Sequence, residues 1–398
     1  MLLNFLLFEP DEKHEYYSGI NQGVAILIQI AKDNGHETKV YSLDPKKLDI
    51  LEDIELELNS YFLISTYSFA RDTIKKAIAV LNKRGFMNVI LGGPHFTFAP
   101  EDFYDVDFLW GIRGEAELIF EDFLNWRIDI TTKGVVYREN DTYVDNGIAD
   151  PIEEIERFKP FIYKELQGKA KNLIGAEILT SRGCPYSCSY CLNSAYNNEY
   201  GRCLLRRKSP EKVINEILDY PYEYDIVGFH DDVFSLDKDW LKEFLSLYKR
   251  FINKRFWCNI HVLSIDQEIV NMLKEGGCER VHIGVESGSE KIRHLMKREH
   301  MTNSDIISVF DMFRQSKIKT VSFNIIGFPG ETEEDIKKTI ELNKEIRPDW
   351  ILVSRFQAYP GTDYYKKESE FLQNYYKSNG NDLYSKYHDD FVSLVRAK

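Results

Sequence analysis

The chain has 398 residues, of which 43% are hydrophobic and 29% charged, enough for two or three domains with ordinary cores. It carries 51 basic and 64 acidic residues, and the resulting net charge of −13 argues against a nucleic-acid backbone as the main partner. We expect no transmembrane segment, and the opening MLLNFLLFEP predicts a first strand rather than a signal peptide. Six cysteines, three of them in one motif, indicate a reducing, cytoplasmic location.

Residues 1–132 alternate short apolar runs with amphipathic helices, the pattern of a doubly wound, Rossmann-like parallel sheet. Such sheets bind ligands beyond the carboxyl ends of their strands. The predicted strands are LLNFLLF, TKVYSL, YFLIST, NVILGG and DFLWG. Residues 133–172 predict a hairpin that turns at Asn140-Asp141, followed by an acidic linker that contains two prolines.

Residues 173–365 repeat the strand–helix alternation six times, which favours a partial (βα)6 barrel. In such barrels the functional groups gather where the strands end. The short segment 366–398 predicts a C-terminal helical tail. The predicted barrel strands are GAEILTSR, DIVGFHDD, RFWCNIHV, RVHIGVES, TVSFNIIGF and WILVSRFQAYP.

Three cysteines, Cys184, Cys188 and Cys191, lie in the run TSRGCPYSCSYCLNS with the spacing C-x3-C-x2-C. Three thiolates on one loop can hold three irons of a 4Fe-4S cube, which leaves the fourth iron without a protein ligand. An open metal position is where a metal centre does chemistry. No further cysteine or histidine pair follows at zinc spacing, so the motif favours a catalytic cluster over a zinc ribbon.

At this motif the chain resembles the radical S-adenosylmethionine (SAM) superfamily. The resemblance implies that the open iron binds the amine and carboxylate of SAM. It also implies that Tyr190, the aromatic residue before the third cysteine, lies near the adenine. The implied cofactors are therefore a 4Fe-4S cluster and SAM.

Polar residues follow the second and fourth barrel strands. We expect His230, Asp231 and Asp232 to face the barrel mouth, where Asp231 or Asp232 would bind the SAM ammonium. The alternative for either aspartate is a helix N-cap. The resemblance implies that Glu286 bonds the ribose hydroxyls and Ser287 a nearby polar group, with a helix cap again as the alternative.

The helix after the fourth strand and the end of the fifth strand offer further SAM contacts. On that helix one of Arg293, Lys297 and Arg298 could pair with the SAM carboxylate, with a solvated face as the alternative for each, and Arg298 is the candidate chosen. In FNIIGFPGET, Ile325 and Ile326 can pack on adenine or simply in the core. Gly327 would let the backbone approach the adenine closely.

Four N-terminal segments resemble the cobalamin-binding-type Rossmann domain that precedes the barrel in one large radical SAM subfamily. They are INQGVAILIQIAKDNGHETKV, LISTYS, LGGPHFTFAPED and GIRGEAELIFEDF. The resemblance implies a cobalamin face made by Ser65, Thr66, Tyr67, Gly92, Gly93 and His95. The chain lacks D-x-H-x-x-G, which supplies a histidine to cobalt in other cobalamin proteins, but members of this subfamily commonly lack it, so its absence does not settle occupancy. The alternative is a domain with the fold but without cobalamin.

The resemblance implies an enzyme that cleaves SAM with an electron from flavodoxin or ferredoxin. It would abstract hydrogen from an unactivated carbon of a small-molecule or peptide substrate. With cobalamin bound, C-methyl transfer is expected. The alternatives are a non-methylating radical enzyme (epimerase, cyclase or rearrangement) and an iron–sulfur redox sensor. The polar strand ends argue against the sensor, because a sensor needs only the cluster.

Overall fold

The structure is a computed structural model that describes residues 1–8, 21–44, 48, 50–53, 57, 59–160, 175–367 and 381–396. The chain divides into two compact units, Met1–Leu173 and Ile174–Lys398. The second half of the predicted linker and residues 368–380 of the predicted tail lie outside the described residues. Within the described ranges, none of the helices has the length and apolar character needed to cross a bilayer.

Strands and helices alternate through the first unit, as the hydrophobic pattern predicts. Short 3-10 helices occur at Ser68–Ala70, Pro100–Phe103 and Ile155–Arg157. The elements are β1 (Leu2–Phe8), α1 (Gln22–Asp33), β2 (Glu37–Leu43), α2 (Ile50–Asp53), β3 (Tyr61–Ser65), α3 (Arg71–Lys83), β4 (Val89–Gly92), α4 (Pro94–Phe98), β5 (Trp110–Ile112), α5 (Glu117–Leu124), β6 (Val135–Glu139) and β7 (Thr142–Asp145).

The strands of this unit form one sheet in the order β2-β1-β3-β4-β5-β6-β7. Strands β1 to β5 are parallel, and their order, 2-1-3-4-5, is that of a doubly wound fold with its switch point between β1 and β3. The hairpin β6–β7 pairs antiparallel with β5. It therefore extends the sheet instead of standing apart from it, and its turn residues Asn140 and Asp141 both have positive φ angles.

The second unit is a second parallel α/β layer. A 3-10 helix at Val262–Ser264 follows its third barrel strand. Its elements are β8 (Gly175–Ile178), β9 (Ser181–Arg182), α6 (Leu192–Tyr200), β10 (Arg206–Arg207), α7 (Pro210–Leu218), β11 (Ile226–Phe229), α8 (Lys238–Phe251), β12 (Arg255–Ile260), α9 (Gln267–Gly276), β13 (Cys278–Glu286), α10 (Glu290–Leu295), α11 (Asn303–Gln315), β14 (Lys319–Ile326), α12 (Glu333–Ile346), β15 (Trp350–Arg355), α13 (Asp363–Lys367) and α14 (Asn381–Arg396).

Six parallel strands of this unit follow the order β8-β11-β12-β13-β14-β15, the open sheet of a partial barrel. The predicted strand GAEILTSR is broken, because its end forms β9 and pairs antiparallel with β10. Every second residue of a strand faces the helices. Val281 and Ile283, for example, are fully buried in the helix-facing core, so His282 between them lies on the barrel's inner face.

Helix α14 covers the outer side of the last two strands. Its Tyr387 and Phe391 are buried against Ile326 and Ile336. The Tyr384 hydroxyl donates to the carbonyl oxygen of Val353 on β15 at 3.3 Å. The described part of the tail is thus a helix packed on the barrel.

Candidate active site at the barrel strand ends

The cysteine loop leaves β9 through a glycine that no other residue could replace without strain. Gly183 has φ +91°, and a Cβ there would lie 2.4 Å from the carbonyl oxygen of Leu204. The side chain of Asn197 then holds both segments, because it donates to the Cys184 carbonyl at 2.8 Å and accepts from the Leu204 amide at 2.9 Å. The start of the loop is therefore fixed by α6.

The middle of the loop is fixed to the end of α10 through Ser189. Its amide donates to Met296 at 3.1 Å, and its hydroxyl donates to the carbonyl oxygen of Leu295 at 2.9 Å. Its own carbonyl accepts from the amide of Asp363 at 3.3 Å. These bonds place all three cysteines beside the ends of the barrel strands.

The surroundings of these sulfurs disfavour a bare thiolate, so the charged form depends on a bound metal. Cys184 and Cys188 are buried and Cys191 is half-buried. Burial raises the pKa of Cys184 to about 12 and that of Cys191 to about 11, so a positive metal is needed to hold them as thiolates. The amide of Tyr186 and two amides in the first turn of α6 lie near these sulfurs and favour the charged form.

The described residues contain no group of three or more His, Cys, Asp or Glu side chains close enough together to hold a single metal ion. Thiolates on one zinc ion lie about 4 Å apart, given a Zn–S distance of about 2.3 Å. The thiolates of a 4Fe-4S cube bind three different irons and need not converge on one point. Thiolate is the usual ligand of a 4Fe-4S cube, so the chemistry of Cys184, Cys188 and Cys191 fits the predicted cluster.

A buried arginine joins the cysteine loop to the end of β13. Arg298 Nη1 lies 3.6 Å from the Cys188 sulfur and 3.4 Å from the Tyr190 hydroxyl. The same nitrogen is 3.8 Å from Glu286 Oε1, and Nη2 donates to the Gly284 carbonyl at 2.8 Å. Burial by itself lowers the pKa of Arg298, but the acidic groups around it outweigh burial and raise it. The guanidinium thus stays charged next to the sulfur.

The predicted pairing of Arg298 with the SAM carboxylate does not match this arrangement. Arg298 is 7% exposed, and both terminal nitrogens are used by protein groups. Its Nε is buried without a hydrogen-bond partner. We therefore assign Arg298 to positioning the loop rather than to contact with the SAM carboxylate.

Glu286 occupies a strained position at the end of β13. Its φ is +62°, which is uncommon for a residue with a side chain, and the register with β14 shifts between Gly284 and Glu286. A Cβ at Gly284 would lie 2.5 Å from Glu286 Oε1, so this glycine leaves room for the carboxylate. Burial raises the pKa of Glu286, although Arg298 and Tyr190 stabilise its charged form.

The two neighbouring aspartates after β11 have different surroundings. Asp231 is fully buried and accepts from the Thr180 amide at 3.0 Å, the Thr180 hydroxyl at 2.6 Å and the Ser181 hydroxyl. The expectation that it faces the barrel mouth is therefore wrong, because it braces the end of β8. Asp232 stays open to solvent, and the protein atoms packed around it raise its pKa to about 6.

Of three other predicted SAM contacts, Ser287 and Ile326 are engaged within the protein itself. Ser287 is fully buried and bonds Thr339 on α12 at 3.3 Å. Ile326 is fully buried and belongs to the cluster covered by α14, on the outer side of the sheet. The Gly327 amide donates to Glu331 at 2.6 Å, and the close approach of its backbone to adenine stays a prediction.

The neighbour of Ile326 lies on the side where adenine is expected. Ile325 is half-buried and packs in the cluster that contains Tyr190 and Phe328. Because side chains alternate along a strand, only one of two consecutive isoleucines can face the site. The alternation of apolar and polar residues along β14 would have indicated that Ile325, rather than Ile326, faces the site.

His261, which directly follows β12, is a candidate functional residue that the sequence analysis did not identify. Its ring stacks on Tyr186 of the cysteine loop, with 3.8 Å between the ring centroids and 16° between the planes. Its Nδ1 accepts from the Leu263 amide at 3.2 Å, so Nε2 carries the hydrogen. Its place after a barrel strand was the available signal, because functional groups gather at such ends.

In the first unit, the glycine pair after β4 serves two different purposes. Gly93 has φ +91°, and a Cβ there would lie 2.6 Å from the Thr66 nitrogen, so the chain itself requires glycine. A Cβ at Gly92 would meet only the Ile112 carbonyl oxygen, at 3.6 Å. Gly92 is partly exposed together with Ser65 and Tyr67, and these three residues fit an open edge for a large flat ligand.

Thr66 and His95, predicted on the same face, are internal. The Thr66 hydroxyl is buried and accepts from the Phe96 amide at 2.8 Å. His95 is 3% exposed, and its two ring nitrogens contact the Ser68 hydroxyl at 2.8 Å and Asp102 at 2.9 Å. Burial lowers the pKa of His95. Neither ring nitrogen is open to a cobalt ion, so His95 supports the loop instead of facing a ligand.

Comparison with known proteins identifies both domains. Residues 178–342 match the radical SAM superfamily, and residues 15–124 match the B12 binding domain. The chain therefore contains a B12-binding domain followed by a radical SAM domain, the combination that the sequence resemblance implies. A 4Fe-4S cluster and SAM are the cofactors of the second domain, and cobalamin is that of the first.

Curated relatives include the uncharacterized methyltransferase PH0819 of Pyrococcus horikoshii. It is 29% identical over 73% of this chain and 64% of its own length. The anaerobic magnesium-protoporphyrin IX monomethyl ester cyclase of Cereibacter sphaeroides is 22% identical over 83% of this chain and 55% of its own length. This chain thus spans less than two thirds of either relative.

Among solved structures, the radical SAM methyltransferase TsrM of Kitasatospora setae, with cobalamin and a [4Fe-4S] cluster bound, superposes with a TM-score of 0.71. The match covers 90% of this chain and 76% of that one, at 17% identity. At that identity the likeness shows the fold: an α/β B12-binding domain followed by a radical SAM barrel.

We expect Asp232→Asn to weaken SAM binding and Asp231→Asn to leave it unchanged. Losing a charge-assisted acceptor for the SAM ammonium costs roughly 1.5–3 kcal/mol, or about tenfold or more in affinity. Asp231→Asn removes acceptors of Thr180 and Ser181, so the melting temperature should fall instead. Equilibrium dialysis of SAM with iron-loaded protein, together with thermal melting, separates the two. An unchanged SAM affinity in Asp232→Asn, with the cluster intact, would contradict the assignment.

The glycine pair after β4 gives a matched test of the cobalamin edge. Gly92→Leu should reduce bound cobalt with little loss of thermal stability, because its Cβ fits and its side chain projects from the open edge. Gly93→Ala should lower the melting temperature, because its Cβ meets the backbone of Thr66. The measurement is cobalt per chain after loading with hydroxocobalamin. Full cobalt content in Gly92→Leu would show that the ligand lies elsewhere.

Proposed function

We propose that this protein is a radical SAM enzyme that cleaves SAM reductively, abstracts hydrogen from an unactivated carbon and methylates that carbon with the help of cobalamin. The observation that carries the proposal is the Arg298 contact between the cysteine loop and the end of β13. It sets Glu286 and Tyr190 beside Cys188, one of the three thiolates that would hold the cluster. A cluster that only sensed redox state would not need these groups.

When bound, the cluster supplies the electron for SAM cleavage, and cobalamin supplies the methyl group. Asp232 binds the SAM ammonium, and Glu286 accepts from the ribose hydroxyls. Tyr190 and Ile325 provide an apolar surface for the adenine. The loop around Cys188 shields the site from water and keeps these groups in one arrangement.

The proposal includes the partners and the compartment. A reduced flavodoxin or ferredoxin donates the electron, and the substrate is a small molecule or a peptide. None of the six cysteines, all of which lie in the described residues, forms a disulfide, and this supports a reducing cytoplasm. The acidic net charge of −13 gives no support for a nucleic-acid substrate.

Methyl transfer is favoured over other radical outcomes by the B12-binding domain and by the methyltransferases among the similar proteins. A non-methylating reaction is the second candidate, because a relative that is 22% identical is named a cyclase. The two candidates differ in products. Methyl transfer consumes one SAM as methyl donor and therefore yields S-adenosylhomocysteine beside 5′-deoxyadenosine, whereas the second candidate yields 5′-deoxyadenosine without it.

Replacing Cys184, Cys188 and Cys191 together with alanine should remove the iron and abolish formation of 5′-deoxyadenosine, because no other thiols in the chain offer this spacing. The measurements are iron content and anaerobic product analysis with dithionite as reductant. Replacing Cys203 with alanine is the matched control, since this thiol is exposed and outside the motif. A triple variant that retains iron and activity would refute the site.

Glu286→Gln should weaken SAM binding by about tenfold or more while the cluster remains. The change keeps the size of the side chain but removes the charge, which costs roughly 1.5–3 kcal/mol at a charged hydrogen bond. The φ of +62° is equally demanding for both side chains, so backbone strain does not confuse the comparison. The SAM dissociation constant at full iron content is the readout, and an unchanged value would return Glu286 to a structural role.

A further inference from the structure

We infer that His282, inside the barrel, is a substrate-binding acceptor, and that the substrate offers a hydroxyl or N–H hydrogen to its Nε2 atom. The inference rests on the proposed function, because it names the chemical class of the substrate for the same site. It concerns the floor of the barrel interior rather than the SAM contacts at the strand ends.

His282 lies on the inner face of β13, two residues before Gly284. It is partly exposed, whereas its neighbours Val281 and Ile283 are fully buried against the helices. Two residues of a strand correspond to roughly 6–7 Å. The imidazole therefore lies about that far below the Gly284 carbonyl, which holds Arg298 at the strand end.

Asn259 on the neighbouring strand determines which ring nitrogen carries the hydrogen. Its Nδ2 donates to the carbonyl oxygen of Asp231 at 3.1 Å, so its Oδ1 is the atom that faces His282. That oxygen lies 3.2 Å from His282 Nδ1. An amide oxygen can only accept, so Nδ1 carries the hydrogen and Nε2 keeps its lone pair.

The ring is held in this orientation by aromatic neighbours. Trp257 stacks on it with 4.7 Å between centroids and 20° between planes, and Phe323 lies 5.3 Å away. Gly228 makes room for the indole, since a Cβ there would lie 2.4 Å from Trp257 Cζ2. The lone pair of Nε2 is therefore fixed in direction before any ligand arrives, which reduces the entropy cost of binding.

The imidazole stays neutral and hence remains an acceptor. Burial is the main cause that lowers the pKa of His282 to about 3, and the charges of Arg280 and His230 add to it. A carboxylate has no hydrogen to give to such a nitrogen, whereas a hydroxyl, amine or amide has one. The site therefore selects a donor group.

The adjacent His230 is a second, independent indication of a ligand. Its Nε2 is buried without a hydrogen-bond partner, and the Glu177 carboxylate is 3.7 Å away. Buried polar atoms in proteins nearly always have partners. Its ring lies edge-on to Trp257 at 4.7 Å, so both imidazoles flank the same indole. The two imidazoles therefore border the same part of the barrel interior.

The test uses the intact iron-loaded protein with SAM and does not need the substrate. Diethyl pyrocarbonate acylates an imidazole nitrogen through its lone pair, and peptide mass spectrometry gives a rate for each histidine. His300, whose side chain is 84% exposed, gives the labelling rate of a freely accessible imidazole. His261 sets the lower limit, because it is buried and its lone pair accepts from Leu263. We expect His282 to react several-fold faster than His261.

Acetamide and acetone then probe the donor class, because they have nearly the same shape and only acetamide has N–H hydrogens. Acetamide should slow the labelling of His282 more than acetone at equal concentration, while His300 is unaffected by either. A His282 rate as low as that of His261, or equal effects of the two probes, would overturn the inference. Formation of 5′-deoxyadenosine is measured in the same preparation, and its absence would count against the enzyme and not against this site.

Discussion

The buried guanidinium of Arg298 is the interaction on which the arrangement of the site depends. A charge removed from water must find partners, and losing one of them is costly. Here the partners come from the cysteine loop and from the end of β13, so the two segments cannot separate without leaving the charge unpaired. The same constraint explains the glycine at Gly284 and the positive φ of Glu286, because both bring the Glu286 carboxylate close to the guanidinium.

The sequence predicts well the parts of the fold in which hydrophobic residues recur at a regular spacing. The strand–helix alternation gives both parallel sheets, and β1 begins and ends where LLNFLLF does. Contacts made by single residues are harder to predict. Asp231 and Asp232 are adjacent and identical in type. Only the positions of Thr180 and Ser181 decide which of the two is hydrogen-bonded within the protein. These partners are about fifty residues away in sequence, so no local pattern contains them.

The other predicted ligand contacts that the structure places inside the protein share one cause. Ser287, Thr66 and His95 are polar residues that follow a strand or open the next turn, where ligands usually lie, and all three are bonded to the protein instead. A buried polar group must be paired, and the loops near a strand end need such pairs to stay in place. Half of the polar residues at such an edge can therefore serve the loops that shape the site. Asp232, by contrast, is left exposed, which only the folded chain reveals.

Helix α14 has a consequence for handling shortened forms of the protein. A partial barrel does not close, so its last strand, β15, presents main-chain groups that another chain could pair with. The Tyr384 hydroxyl already occupies the Val353 carbonyl, and Tyr387 and Phe391 cover the apolar surface beside it. A version truncated before residue 381 would expose both the main-chain groups of β15 and the apolar surface that Tyr387 and Phe391 cover. Self-association and precipitation, rather than altered chemistry, would be its first defect.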